Sequence, residues 1–190
     1  GFSLLLGLRP TDQPTGLSHH NVLFPKDYDE EFEDIFSRRV PVADPTIYIC
    51  APNDDAMVKH PGHEAWFVLV NAPRHGDSDG FNWNDKDANH RYAMKIIDAI
   101  EARGISVRDR LEVLEIRTPA DLERTVMAPG GSIYGTSSNG ARSAFLRAKN
   151  RSPLKGLYCV GGSAHPGGGL PLVGLSAEIV AQAVVGPTTH

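Results

Sequence analysis

Nine residues constrain this chain more than any others: Gly161-Gly162-Ser163-Ala164-His165-Pro166-Gly167-Gly168-Gly169. They lie between a short apolar run, residues 156–160 (Gly-Leu-Tyr-Cys-Val), and an apolar segment, residues 171–185, that opens on Pro171. This order predicts a buried strand, a glycine-rich loop and a helix. Glycine takes positive φ without strain and lets the backbone approach a ligand closely. The start of the following helix offers unpaired N–H groups and partial positive charge. Together they suit a planar, electron-rich or anionic group. A plain strand-to-helix turn is the competing reading, but five glycines among nine residues exceed what a turn needs.

A self-contained nucleotide site does not fit. The dinucleotide fingerprint requires G-x-G-x-x-G between strand and helix, with an acid about 20 residues further on. Here the glycine spacing differs and the chain ends too soon, and G-x-x-x-x-G-K-[ST] does not occur.

The rest of the chain alternates strand and helix patterns. Residues 2–8, 19–24, 46–50, 65–70 and 111–116 are short apolar or β-branched runs that predict strands. Residues 10–16 (Pro-Thr-Asp-Gln-Pro-Thr-Gly) predict a turn, and so does the region holding Asn53-Asp54-Asp55 and His60-Pro61-Gly62-His63. Residues 28–36 place apolar side chains at 28, 32, 35 and 36 behind an Asp27 cap, with acids between them; the acids Asp29-Glu30-Glu31 are expected on a solvated face. Residues 85–103 carry Tyr92, Ile96, Ala99 and Ile100 on one helical face, closed by Gly104. Thr118 followed by Pro119 marks another helix start. Residues 128–138 are rich in Gly and Ser, and a basic run follows: Arg142, Arg147, Lys149, Arg151 and Lys155. The pattern predicts an α+β fold with a mixed or antiparallel sheet and flanking helices.

A net charge of −4 gives no reason to expect nucleic acid as a partner. Cys50 and Cys159 form neither a disulfide framework nor a C-x-x-C pair, so both are expected as buried, reduced thiols and the cytoplasm as the compartment. The opening Gly1-Phe2-Ser3-Leu4 lacks the features of a signal peptide, and no apolar stretch approaches the roughly 20 residues that span a bilayer. A chain that opens on Gly1 in mid-strand is expected to be cut from a longer one.

The segment Leu157-Tyr158-Cys159-Val160-Gly161-Gly162-Ser163-Ala164-His165-Pro166-Gly167-Gly168-Gly169-Leu170-Pro171 resembles the C-terminal FAD signature of phytoene-desaturase-type carotenoid oxidoreductases, within the amine-oxidase-like flavoproteins. Gly131-Ser132-Ile133-Tyr134-Gly135, Asn150-Arg151-Ser152-Pro153, Pro45-Thr46-Ile47-Tyr48 and Trp66-Phe67-Val68-Leu69-Val70-Asn71 resemble the same family. Ala164 stands where Thr is common there, and Leu172 where Gly is frequent.

The resemblance implies the C-terminal, substrate-side part of an FAD-dependent oxidoreductase that desaturates carotenoid-like polyenes by hydride transfer to flavin. An N-terminal Rossmann unit would be its missing partner. Residues 1–150 would form the substrate-binding, mixed-sheet domain and residues 151–190 the FAD-contacting strand–loop–helix. Gly161, Gly162 and Ser163 would pass the pyrophosphate and ribityl chain. Leu170, Pro171 and Leu172 would lie against the isoalloxazine, with Gly169 also among the cofactor-binding residues and the helix dipole favouring negative charge by roughly 0.3–2 kcal/mol. The chain alone would retain no FAD and would be inactive, and its bare apolar face at 170–175 would self-associate or be disordered. Other readings are a flavin-free binding or assembly module and a fragment of a related flavin amine oxidase.

Other features invite plainer readings. His19, His20, His60 and His63 match no zinc spacing, and no metal is expected. His165 is read as a structural hydrogen-bonding residue of the loop. The basic run is read as solvated surface or as contacts to the missing domain, with anionic lipid headgroups and peripheral membrane contact as the alternative. Tyr134, Trp66 and Phe67 are read as core, with an apolar tunnel as the alternative.

Overall fold

The computed structural model describes residues 1–12, 15–52, 54–135 and 147–186. It divides into two compact units, Gly1–Ser132 and Ile133–His190.

The first unit is built on five strands: β1 (Phe2–Leu8), β2 (His20–Leu23), β3 (Ile47–Cys50), β4 (Glu64–Val70) and β5 (Leu111–Arg117). They form one sheet in the order β2-β3-β4-β1-β5, and every pairing is antiparallel. The period of two places Phe2, Leu4, Leu6 and Leu8 on the same face as Trp66, Val68 and Val70, with Ile47 and Ile49 beside them. These side chains are buried. Against them packs α2 (Lys86–Glu101) through Tyr92, Ala93, Ile96, Ile97 and Ile100, with Trp83 completing the core. The other face of the sheet leaves Leu5, Val22, Phe67 and Val113 exposed. Trp66 and Phe67 are neighbours in β4 and so point to opposite faces: the first is core and the second is not.

The helix starts follow their caps. Asp85 accepts from the N–H groups of Asp87 and Ala88 at the head of α2, and Gly104 beyond its end sits at φ +83°. α3 (Pro119–Val126) opens on a capping box in which the Thr118 hydroxyl accepts from Asp121 N and Asp121 Oδ2 accepts from Thr118 N at 2.8 Å. Burial alone would raise the Asp121 carboxyl, but the Thr118 bonds and Arg124 hold it below the usual carboxylate value. Thr118→Ala is expected to cost about 1 kcal/mol in denaturant unfolding. Because the Asp121 pKa is depressed on folding, its contribution is present above the ordinary Asp value and is lost as pH falls through the lower, folded value. The stability gap between wild type and Asp121→Asn should therefore shrink below about pH 4; a gap independent of pH would contradict this assignment.

The segment after Asp27 departs from expectation in an instructive way. α1 (Tyr28–Phe32) forms behind the Asp27 cap and continues as a π-helical turn, Glu33–Arg38. Asp29 and Glu30 are exposed, as expected, but Glu31 and, in the turn that follows, Asp34 face inward. Glu31 is 1% exposed and accepts from Thr46 N (2.8 Å), Thr46 Oγ1 (2.5 Å) and Asn71 Nδ2 (2.8 Å). Asp34 accepts from Ala43 N at 3.1 Å and pairs with Arg38 at 2.7 Å. Burial alone would raise the Asp34 carboxyl, and the Arg38 and Ala43 contacts outweigh it and hold it low. On the exposed side, meanwhile, Tyr28 meets Phe32 edge-on and Phe32 stacks on Phe36. Glu31 therefore does not belong to a solvated face, because it supplies the acceptors that Thr46 and Asn71 need.

Among the described residues no helix is long and apolar enough to cross a membrane. Cys50 and Cys159 are free thiols, as expected, but half-buried rather than buried. His60 to His63 forms the expected turn, with His63 N donating to His60 O at 3.2 Å. Gln13, Pro14 and Asn53 lie outside the described residues.

Candidate functional site

The second unit holds the glycine-rich loop. The strand predicted over 156–160 is not formed as a ladder: its pairing is the single bridge Arg151↔Tyr158, made by Ser152 N donating to Leu157 O at 3.1 Å and Cys159 N to Asn150 O at 2.9 Å, next to a turn in which Leu157 N donates to Leu154 O. Strand geometry needs continuous partners for its N–H and C=O groups, and a single bridge pairs one residue only. Leu157 and Val160 are exposed. Among the described residues of this unit, one side chain links several of its segments. Asn150, 6% exposed, donates through Nδ2 to Cys159 O (3.0 Å), His165 O (2.9 Å) and Ser176 Oγ (2.9 Å). Ser176 is fully buried within α4 (Leu170–Val185) and also accepts from Gly161 N at 3.1 Å. Asn150 thus ties the run before the loop, the loop itself and the helix after it to one point.

The loop folds back on that frame. His165 N donates to Ala148 O at 2.9 Å, and Ala164 is buried. The loop passes through a cis His165–Pro166 peptide. A Cβ on Gly162 would stand 3.5 Å from Gly168 Cα and 3.7 Å from Val173 Cγ2, so the two ends of the loop lie side by side. Gly168 packs so closely on the Tyr134 ring that a Cβ there would fall 1.9 Å from Cδ1. Gly161 and Gly169 serve differently. Their φ values are +108° and +91°, yet a Cβ on either would meet no atom within 4 Å. These two need glycine for backbone conformation and leave open space beside the chain.

The site residues read from the sequence are thereby placed. Gly161, Gly162 and Ser163 line the approach to the loop, with Ser163 next to Gly135. Gly169 precedes α4 with no side-chain cap, and Leu170, Pro171 and Leu172 make its first turn. Pro171 has no N–H, so the open donors of that turn are those of Leu170 and Leu172; Val173 N already donates to Gly169 O at 2.9 Å. Leu170 is 89% exposed, and Leu172 and Leu175 are exposed beside it.

In the basic run, Arg147 is not simply solvated: its Nη1 donates to Tyr134 O (2.9 Å) and Gly162 O (3.1 Å). Lys149, Arg151 and Lys155 are exposed, and Arg142 lies outside the described residues, as do Thr136 to Ser138 of the Gly- and Ser-rich stretch. The His165 carbonyl accepts from Asn150, while its side chain is exposed. Sequence reasoning missed Ser176 altogether, although a lone hydroxyl in the apolar run Leu172-Val173-Gly174-Leu175-Ser176-Ala177 was the available signal. In the first unit a cleft of about 670 Å³ is lined by Lys86 and Arg124 together with Glu115 and Asp121, a mixture that selects no single charge of ligand.

No protein-family model matches the chain. Among curated proteins it is 35% identical over 170 residues to a hydroxyneurosporene desaturase of Rubrivivax gelatinosus, covering 89% of this chain and 32% of that protein. It is 39% identical over 178 residues to a 1-hydroxycarotenoid 3,4-desaturase of a Flavobacterium species, covering 92% and 35%. It is 36% identical over 187 residues to a zeta-carotene-forming phytoene desaturase of Myxococcus xanthus, covering 96% and 35%. The chain thus spans about a third of the length of the curated relatives it matches. The resemblance to a phytoene-desaturase-type C-terminal region holds across nearly the whole chain.

Proposed function

We propose that this chain is the C-terminal, flavin-contacting part of an FAD-dependent oxidoreductase that desaturates carotenoid-like polyenes. The observation that carries the proposal is the open backbone at Gly161 and Gly169 beside the uncapped start of an apolar helix, held in place by Asn150 and Ser176. The residues present fit one side of a flavin. Two glycines admit close approach, and the first turn of α4 presents backbone N–H groups and Leu170 to one side.

A bound flavin would supply the hydride acceptor. Gly161, Gly162 and Ser163 would run beside its chain, while Gly169, Leu170, Pro171 and Leu172 would face its ring system. The N–H groups of Leu170 and Leu172 would favour negative charge on the atoms they meet. Leu5, Phe67 and Val113, exposed on a sheet face they share with Glu115, Arg117 and His20, offer apolar contacts to a long hydrocarbon substrate. The names of the relatives support a carotenoid as that hydrocarbon.

The test is FAD titration, read by quenching of flavin fluorescence, on the 190-residue chain and on the intact protein from which it comes. The expected result is stoichiometric binding by the intact protein and none by the chain alone. Tight binding by the chain alone would replace the half-site with a complete one. An intact protein that binds no FAD would sink the flavin reading.

A further inference from the structure

We propose that His19, His20 and Cys50 form a transition-metal site for a borderline ion of the Zn2+ class. Each residue offers one donor atom, and the three donors all lie within 4.8 Å of one another. Among the described residues this is the cluster of His, Cys, Asp or Glu side chains that brings three such donors together. The site belongs to the first unit and does not depend on the flavin reading.

The sheet register assembles it. His20 and Cys50 are direct cross-strand partners in the β2–β3 ladder, so their side chains leave the sheet on one face at adjacent positions. His19 comes from the residue before β2, where its carbonyl accepts from Ala51 N at 2.8 Å, and its ring lies 4.3 Å from that of His20. The Tyr48 hydroxyl is hydrogen-bonded to His20 Nδ1 at 2.8 Å. With Nδ1 held by Tyr48, Nε2 would be the nitrogen left to coordinate, and the hydroxyl would serve as an outer hydrogen-bond partner of the kind that orients metal-bound imidazoles.

The donor set and geometry match the ion. Thiolate and imidazole together select Zn2+ over Mg2+ or Ca2+, which prefer oxygen. Bonds of about 2.0–2.1 Å to nitrogen and about 2.3 Å to sulfur set tetrahedral donor separations near 3.3–3.6 Å. The three donors would close by at most about 1.5 Å, within reach of side-chain rotation by two exposed imidazoles. Three protein ligands leave a fourth position for water. Binding would release the Cys50 thiol proton to solvent as the thiolate forms. No linear spacing announces this site, because Cys50 reaches the histidines through strand pairing.

The experiment is a Co2+ titration of the reduced 190-residue chain, followed by displacement with Zn2+. The expected result is one equivalent of bound Co2+ with a thiolate-to-cobalt charge-transfer band in the near ultraviolet, bleached by Zn2+. Cys50→Ser should abolish the band. His19→Ala, at an exposed position where the fold is not at risk, should weaken binding at least about 10-fold, and Tyr48→Phe by about 10–100-fold. The pair His60→Ala/His63→Ala should leave binding unchanged. Absence of the charge-transfer band in wild type overturns the site. So does a band and affinity that survive His19→Ala, or that depend on His60 and His63 instead.

Discussion

Asn150→Ala should loosen the whole glycine-rich segment, at an expected cost of about 2–4 kcal/mol to the Ile133–His190 unit. The amide of Asn150 serves Cys159 O, His165 O and Ser176 Oγ, which lie 9, 15 and 26 residues further along the chain. Alanine would leave these acceptors without their donor in a site only 6% exposed, and a buried unsatisfied group costs about 1–3 kcal/mol. The losses do not simply add, because Nδ2 has two N–H groups and must share one between two of these acceptors, and because water can enter a loosened loop and take over part of the bonding.

The measurement is amide hydrogen exchange at Cys159, Gly161 and His165, since a chain of two units need not unfold in one step. Faster exchange confined to these amides is expected, with a smaller effect in Ser176→Ala, where Gly161 N loses its acceptor but Asn150 keeps two of its own. Unchanged protection at all three would mean that Asn150 is not what orders the loop. If the flavin reading holds, the same substitution in the intact protein should weaken FAD binding, because the open backbone at Gly161 would lose its fixed course.

Glu31→Ala is the counterpart in the first unit, with an expected loss of about 3 kcal/mol in denaturant unfolding. The carboxylate takes three hydrogen bonds from Thr46 and Asn71 while 1% exposed. Hydrogen bonds to charged groups are worth about 1.5–3 kcal/mol each, and truncation would also leave the donors of Thr46 and Asn71 unpaired. Glu31→Gln separates the causes. It keeps the shape and one acceptor oxygen, so it should recover roughly half of the loss. An alanine variant as stable as wild type would show that water replaces the carboxylate, and the inward-facing acid would then have no structural role. Removing the exposed Phe36 side chain should, by contrast, change stability by less than about 0.5 kcal/mol.

Much of this architecture is legible from the residues alone. The apolar run in Phe2–Leu8, the Asp85 and Thr118 caps, the glycine closing α2 and the apolar helix after Gly169 all depend on interactions within a few residues. Such signals survive in sequence because their partners sit at fixed offsets. The resemblance carried by residues 157–171 is of the same local kind, and the carotenoid desaturase relatives extend it along the chain.

Where the sequence reading departs from the structure, partners are distant. Hydropathy assigns Glu31 to water, yet Thr46 and Asn71 wait 15 and 40 residues away with donors that need a carboxylate. Composition makes residues 156–160 a strand, but strand propensity becomes a strand only where neighbours complete the ladder, and here one bridge forms. His19, His20 and Cys50 share no linear motif, because it is the β2–β3 register that brings them together. The sequence by itself determined where helices start, where the backbone must take positive φ and which short runs become the strands of the first unit, since these are decided by local sterics and nearby hydrogen bonds. Tertiary structure alone decided the strand order, the burial of Glu31 and the convergence of Asn150 on three remote partners, because each depends on which groups are brought within about 3 Å once the chain has folded.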